Sequence, residues 1–302
     1  MSGFDVRYAR LPRVRGVTPE AAFAAVAVPL VAAAPGDLVH AFHYADAWAA
    51  LRVRRRRPVV LKLTGTVEAD RMAKVRFDRR LFREAVDGAD AVWANSAYAV
   101  EAMAWTGRPM DVVPAGVDLE RFRPSAERSS RPVVLCTSAP ADPRKRLVDV
   151  LAAWPAVRAA LPDAVLRVAG VVPAGFDVPE GVELVGPLDD DALVEAYSSA
   201  AVTVAPAVGE ALGLTTLESL ACGTPVAGAR SGATADLVRP GTGLLYDPGD
   251  VDGCAEAIVR AAAIDDRAAC RAAAEPWGWD AVADDVEARY RDLLGVRRTM
   301  TA

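Results

Sequence analysis

Glu210 and Glu218 stand eight positions apart in the stretch 205–232, which reads APAVGEALGLTTLESLACGTPVAGARSG. An apolar strand over 201–206 leads into a small-residue loop that carries Glu210. Gly213 opens a helix that carries Glu218 and stops at Cys222-Gly223, and a second strand starts at Thr224-Pro225. The first N–H groups of a helix have no intrahelical acceptor and lie at the positive end of its dipole. Leu212, Gly213, Leu214 and Thr215 are therefore placed to meet an anion, and a diphosphate suits them. Gly213 has no Cβ, so the backbone can come close to phosphate, while the two carboxylates can accept hydrogen bonds from sugar hydroxyls. Alone, Glu218 reads as a solvated helix residue. The spacing, the glycine and the Gly-Thr-Pro strand entry together reverse that reading.

These groups need strands that end at a common edge, and the rest of the chain predicts them. Strands are expected near 5–8, 38–42, 59–63, 91–94 and 110–113, with helices near 19–34, 46–55, 71–88 and 96–105. Beyond Pro124 the alternation resumes, with strands near 133–137, 165–169, 182–185, 201–205, 225–229 and 243–246 and helices near 147–160, 189–199, 213–221, 233–238 and 251–263. Short apolar strands alternating with longer helices imply parallel sheets covered on both faces, here twice over. The polar, aperiodic segment 124–132 fits a linker. The expected organisation is an N-terminal Rossmann-like domain over 1–124, a second over 125–276, and a terminal helix over 277–302.

The chain has 302 residues, 52% of them hydrophobic, and a mean hydropathy of +0.16. That suits a soluble protein with large buried sheets. The longest apolar run, 21–34, is interrupted by Pro29 and is too short for a membrane span. No charged start leads into an apolar core and a small-residue cleavage site, so no signal peptide is expected. Cys136, Cys222, Cys254 and Cys270 are scattered, and with only two histidines neither a disulfide framework nor a metal site is expected. A reducing cytoplasm is the expected compartment.

Residues 1–115 hold 17 Lys+Arg against 12 Asp+Glu, a net +5, so the whole-chain value of −5 leaves −10 for the remainder. Much of the excess lies in Arg52 and Arg54–Arg57 and in Arg71, Lys74, Arg76, Arg79, Arg80 and Arg83. One reading is a solvated helix face and loop. The other is a surface that meets anionic lipid, at the inner membrane surface, or a phosphorylated acceptor. No nucleic-acid motif is present, and a pI of about 5.3 argues against non-specific DNA binding.

Glu210, seven residues, Glu218, then Ser-Leu-Ala-Cys-Gly-Thr-Pro-Val and Ser231-Gly232-Ala233 resemble the donor-site signature of the retaining glycosyltransferases of family 4 (glycosyl transferases group 1). The resemblance runs from about Asp37 to the C-terminus and is closest over 182–250. It implies a GT-B fold, two Rossmann-like parallel-sheet domains facing across a cleft, with the N-terminal domain shortened: only one strand and one helix fit before Asp37 where the family has more. Lys145, in Asp142-Pro143-Arg144-Lys145-Arg146, falls where the family carries a donor-phosphate lysine. Arg144 is the candidate second cation, because the family's arginine would fall near Ser138 or Ala139. Leu188 in Gly186-Pro187-Leu188 matches the loop against which the nucleotide base stacks, and Asp189–Asp191 read as a helix cap rather than a metal site. The segment 112–124, with Pro114, Gly116 and Asp118, is similar to the family's interdomain segment. Trp277-Gly278-Trp279 and the helix after it resemble the element that crosses back to the first domain.

On the acceptor side the resemblance points to the ends of two strands. Thr64-Gly65 stand where the family has His-Gly, and His40 and His43 are left as acid/base or acceptor contacts, or as satisfied strand-end histidines. Asn95 or Ser96 is the expected cap of the following helix. The implied reaction is transfer of a sugar from a UDP- or GDP-sugar to an unidentified acceptor with retention, with Glu210 and Lys145 as catalytic residues, Glu218 on the ribose, and neither cofactor nor metal. No nucleophile is evident, so a front-face mechanism is preferred. The rival is a catalytically silent nucleotide-sugar-binding protein or a hetero-oligomer subunit, motivated by the short N-terminus, Thr64 and the displaced arginine.

Overall fold

Four parallel strands form the first sheet: β1 (Val39–Ala41), β2 (Val59–Leu63), β3 (Ala91–Ala94) and β4 (Asp111–Val112), in the order β1-β2-β3-β4. The computed structural model describes residues 18–295 apart from 75, 138–141 and 172–177. The strand expected near 5–8 lies outside them. Described residues fall into two compact units, one up to Pro114 together with the chain from Ala283, the other Ala115–Val282.

In the first unit α1 (Pro19–Ala33) precedes β1, and α2 (Tyr44–Val53), α3 (Ala69–Lys74), α4 (Arg76–Gly88) and α5 (Ala97–Ala102) connect the strands. Helix α2 begins ahead of the expected 46 because His43 caps it, its Nδ1 accepting from the Ala45 N–H (3.2 Å). The helix expected over 71–88 is found as α3 and α4, on either side of residue 75. Every residue of β2, VVLKL, is buried, as a strand covered on both faces requires. Lys62 is the polar exception. Its ammonium donates to the carbonyls of Val113 and Pro114, each at 2.9 Å, and burial lowers its pKa to about 8. On one face α4 buries Leu81, Phe82, Ala85 and Val86. A second cluster joins Val60, Trp93 and Val113 to Val286, Tyr290 and Leu293 from the end of the chain.

The second unit holds six parallel strands, β5 (Val133–Cys136), β6 (Val165–Ala169), β7 (Val182–Gly186), β8 (Val202–Ala205), β9 (Val226–Ala229) and β10 (Gly243–Tyr246), ordered β10-β9-β8-β5-β6-β7. The connecting helices are α6 (Leu147–Ala160), α7 (Asp190–Ser199), α8 (Leu214–Ala221), α9 (Thr234–Leu237) and α10 (Val251–Ala262). α11 (Arg267–Ala274), capped by Asp266, is an element the sequence pattern did not predict. One core cluster packs Val150, Trp154 and Ile258 on β5, β6 and β9, and a second packs Tyr197, Leu217 and Leu220 with Leu135 and Val226. Residues 124–132 carry no helix or strand, and Ser125 and Arg128 bond to Ser198 and to the Ala201 carbonyl of this unit. Asp118 accepts from the N–H groups of Glu120 and Arg121, the Asx-type turn expected there. α12 (Trp279–Leu293) opens with Trp279 against Gly116, where an added Cβ would lie 2.8 Å from the indole.

Candidate functional site

From β5 the chain runs through β6 to β7, returns, and then runs the other way from β8 through β9 to β10. The reversal leaves β5 and β8 adjacent, and open parallel sheets bind ligands outside the carboxyl ends of strands at such a point. The residues that follow β5 and β8 are the ones whose chemistry the sequence singled out.

After β5, Asp142 accepts from the Arg144 N–H (3.0 Å) and starts a single turn, Pro143–Lys145. The Arg144 guanidinium lies 2.8 Å from the same carboxylate and holds it below the usual carboxylate range. The turn presents Lys145, whose ammonium is paired with Glu210; their side chains are 34% and 31% exposed. Glu210 sits in a loop fastened through its backbone. The Val208 N–H donates to the Arg144 carbonyl (2.9 Å), the Gly209 N–H to Ser231 Oγ (3.1 Å), and the Ala233 N–H to the Glu210 carbonyl (2.8 Å). Gly232 makes the last contact possible. Its φ is +60°, and a Cβ there would stand 2.4 Å from the Glu210 carbonyl oxygen.

Gly213, at φ +76°, turns the chain into α8. The N–H groups of Thr216 and Leu217 fold back onto the Gly213 carbonyl (3.0 and 3.1 Å). Among the described residues those of Leu214 and Thr215 have no acceptor, so two donors at the positive end of the helix are left for a ligand. Leu212 is buried beneath them, whereas the Leu214 side chain is exposed. Four residues further along α8, Glu218 is half-buried and accepts from the Tyr197 hydroxyl at 3.0 Å. Burial raises its pKa above the ordinary carboxylate value; the Tyr197 hydrogen bond opposes that shift and the Asp190 charge adds to it. Leu188 follows β7, which is separated from β5 by β6, and packs half-buried against the cluster that contains Tyr197. Asp189 caps α7 by accepting from the Ala192 N–H (2.9 Å). Among the described residues no group of three or more His, Cys, Asp or Glu is arranged to hold a metal ion.

The first unit treats its candidates differently. His40 is enclosed by Phe42, Trp93 and Tyr290, bonds the Tyr290 hydroxyl through Nδ1, and has its pKa lowered to about 4 by burial and by Lys62. His43 is an exposed cap with its Nδ1 engaged. Thr64 and Gly65 are exposed after β2, and the buried Asn95 donates to the Thr64 carbonyl (2.8 Å) while its Oδ1 has no partner among the described residues. Ser96 caps α5, accepting from the Ala99 N–H (3.1 Å). Of the basic residues, Arg54 pairs with Asp90, Arg52 and Arg80 with Glu84, and Arg57 donates to the carbonyls of Val31 and Ala34. Arg55 and Arg56 are exposed, have no partner among the described residues, and line a cavity of about 670 Å³ with Pro35 and Gly36. No described helix is long and apolar enough to cross a membrane.

Tyr197, Thr137, Ser231 and Asn95 were not among the predicted site residues. Ser231 and Gly232 lie inside the motif, and their support of Glu210 follows from the pairing of β8 with β9. For Tyr197 no sequence signal exists, since an aromatic on the buried face of a helix reads as core.

Two parallel-sheet α/β units with a ligand-ready switch point are those of the GT-B class of glycosyltransferase folds. A sucrose-phosphate synthase from Thermosynechococcus elongatus matches 92% of this chain with 79% of its own, at TM-score 0.75 and 22% identity. Anabaena HepE in complex with UDP-glucose matches 90% with 82%, at TM-score 0.72 and 18% identity. Residues 131–263 match the family model for glycosyl transferases group 1, and residues 2–121 the model for glycosyltransferase family 4. The chain thus carries group 1 and family 4 glycosyltransferase domains. It is 32% identical over 202 residues to a GDP-mannose-dependent monoacylated alpha-(1-6)-phosphatidylinositol monomannoside mannosyltransferase of Corynebacterium glutamicum, an alignment covering 56% of this chain. The chain spans about half, 52%, of that relative's length.

Proposed function

We propose that the protein is a retaining glycosyltransferase that moves a sugar from a UDP- or GDP-sugar to an acceptor hydroxyl. The observation that carries this reading is the Lys145–Glu210 pair beside the two acceptor-free amides of Leu214 and Thr215, at the reversal point between β5 and β8. A diphosphate on those amides draws Lys145 from Glu210 and frees the carboxylate for the sugar hydroxyls. As the anomeric C–O bond to phosphate breaks, Lys145 and the amides offset the charge that grows on the leaving oxygen. The new bond to the acceptor oxygen forms on the same face, and the acceptor proton passes to the leaving phosphate. Glu218 holds the ribose, and the Leu188 loop meets the base. No cofactor or metal enters this scheme.

Turnover of GDP-mannose and UDP-glucose by the purified chain, followed as nucleoside diphosphate release, tests it. Glu210→Ala and Lys145→Ala should each lower kcat/KM by about 10²–10³. A trapped covalent glycosyl-enzyme would contradict the front-face step. Tight diphosphate binding with no turnover on any acceptor would favour the catalytically silent protein.

Arg55 and Arg56, which have no partner among the described residues, support a second element of this reading, contact of the first unit with an anionic membrane that carries the acceptor. Each arginine near such a surface is worth about 1 kcal/mol. Co-sedimentation with phosphatidylinositol-containing vesicles should fall roughly 10-fold or more in the double variant Arg55→Glu/Arg56→Glu. Equal binding by both proteins would remove the membrane from the account.

A further inference from the structure

Behind the helix start of α8 a line of hydroxyls joins the two ends of the candidate site. The Tyr197 hydroxyl donates to Glu218 Oε2 at 3.0 Å and lies 3.4 Å from Thr137 Oγ1, which in turn lies 3.2 Å from Thr215 Oγ1. Thr137 follows β5, and Thr215 supplies one of the two amides with no acceptor among the described residues, so the line runs from the acid at one end to the candidate anion cradle at the other. Tyr197 is fully buried. It is fixed along its length: its ring meets Phe122 edge-on, and its carbonyl accepts from the Thr224 hydroxyl at 2.7 Å. Burial, foremost, and the charge of Glu218 raise its pKa well above the ordinary phenol value, so the hydroxyl stays a donor.

A carboxylate can only accept, and this sets the direction of the whole line. With the Tyr197 proton given to Glu218, the oxygen of Tyr197 can accept from Thr137 and that of Thr137 from Thr215. A glutamate on a helix has three side-chain torsions to settle, and a fixed hydroxyl on Oε2 leaves the other oxygen in one place. Charge-assisted bonds of this kind are the strong ones, and their geometry is what a second hydrogen-bonded group can then use.

We infer that Tyr197 is a positioning residue: by holding Glu218 Oε2 it aims the remaining carboxylate oxygen at a ribose hydroxyl of the bound nucleotide, and so sets the preference of this site for ribose over deoxyribose. This rests on the assignment of Glu218 to the ribose in the proposed function.

Calorimetric titration of the full chain with UDP and GDP, and with the 2′-deoxy and 3′-deoxy forms of whichever binds, separates the two claims. The wild-type chain should bind one deoxy form roughly 10- to 100-fold more weakly than the ribonucleotide. In Tyr197→Phe, which removes one oxygen and keeps the ring, that ratio should fall toward 1, while affinity for inorganic pyrophosphate is unchanged. Thr137→Val removes the next hydroxyl and should keep the ratio, since Tyr197 still reaches Glu218. An undiminished ratio in Tyr197→Phe would overturn the positioning role and leave the site assignment standing. A wild-type chain indifferent to both deoxy forms would overturn the assignment of Glu218 itself, and the role of Tyr197 with it.

Discussion

The two units handle their polar residues in opposite ways. In the second unit, polar groups are kept at the surface of the candidate site: among the described residues the Leu214 and Thr215 amides have no acceptor, and the bonded Lys145–Glu210 pair is a third exposed. In the first unit, His40, His43, Asn95 and Lys62 at or near the strand ends are taken up by an aromatic cage, a helix cap and backbone carbonyls. The difference teaches that a polar residue at a strand end is a site candidate when it converges with others within reach of solvent, as Lys145 and Glu210 do; His40 Nε2 and Asn95 Oδ1 also have no partner among the described residues, but they are buried.

Four changes sharpen or break that contrast. The largest effect is expected for Gly232→Ala, whose new Cβ would meet the Glu210 backbone at 2.4 Å at a positive φ. Displacing Glu210 by an ångström should lower donor turnover by roughly 100-fold, measured against the wild type at saturating acceptor. Next comes acid. Between pH 6.5 and 4 the unfolded chain binds a proton on His40 that the folded chain does not. The contribution of His40 to the stability of the first unit is therefore full above pH 6.5 and falls by up to about 3 kcal/mol as pH drops to 4. Thermal melts of wild type and His40→Phe across that range should differ in slope, and equal slopes would take His40 out of its cage. A smaller loss, about 1 kcal/mol, is expected in denaturant melts of His43→Ala, the cost of an N-cap, with donor turnover unchanged. The smallest belongs to Gly65→Ala, where an added Cβ meets nothing within 4 Å. Its stability should stay within about 0.5 kcal/mol of wild type, so that any rise in acceptor KM reports contact with acceptor.

The sequence made the second unit legible because its site is local. Glu210, Gly213–Thr215 and Glu218 lie on one loop and helix, and Lys145 is brought in by a single strand pairing between β5 and β8. The parallel sheets were legible for the related reason that β2, β5 and β8 are short apolar runs. What escaped notice depends on contacts across long separations. His40 meets Tyr290 across 250 residues, and Tyr197 meets Glu218 from another helix. Neither partner has a pattern that marks it out from a core aromatic. The start of α2 was misjudged because a histidine serves as its cap, and α11 was missed because the side it buries consists of small residues, Cys270 and Ala274.

The central claim is that a diphosphate sits on the backbone at the start of α8, and amide chemical shifts report on that directly. In a titration of the ¹⁵N-labelled chain with UDP or GDP, the Leu214 and Thr215 amide protons should move downfield together and saturate at the same dissociation constant as the Lys145 side-chain signal. Saturation of the protein with both of those amides unmoved would contradict the account.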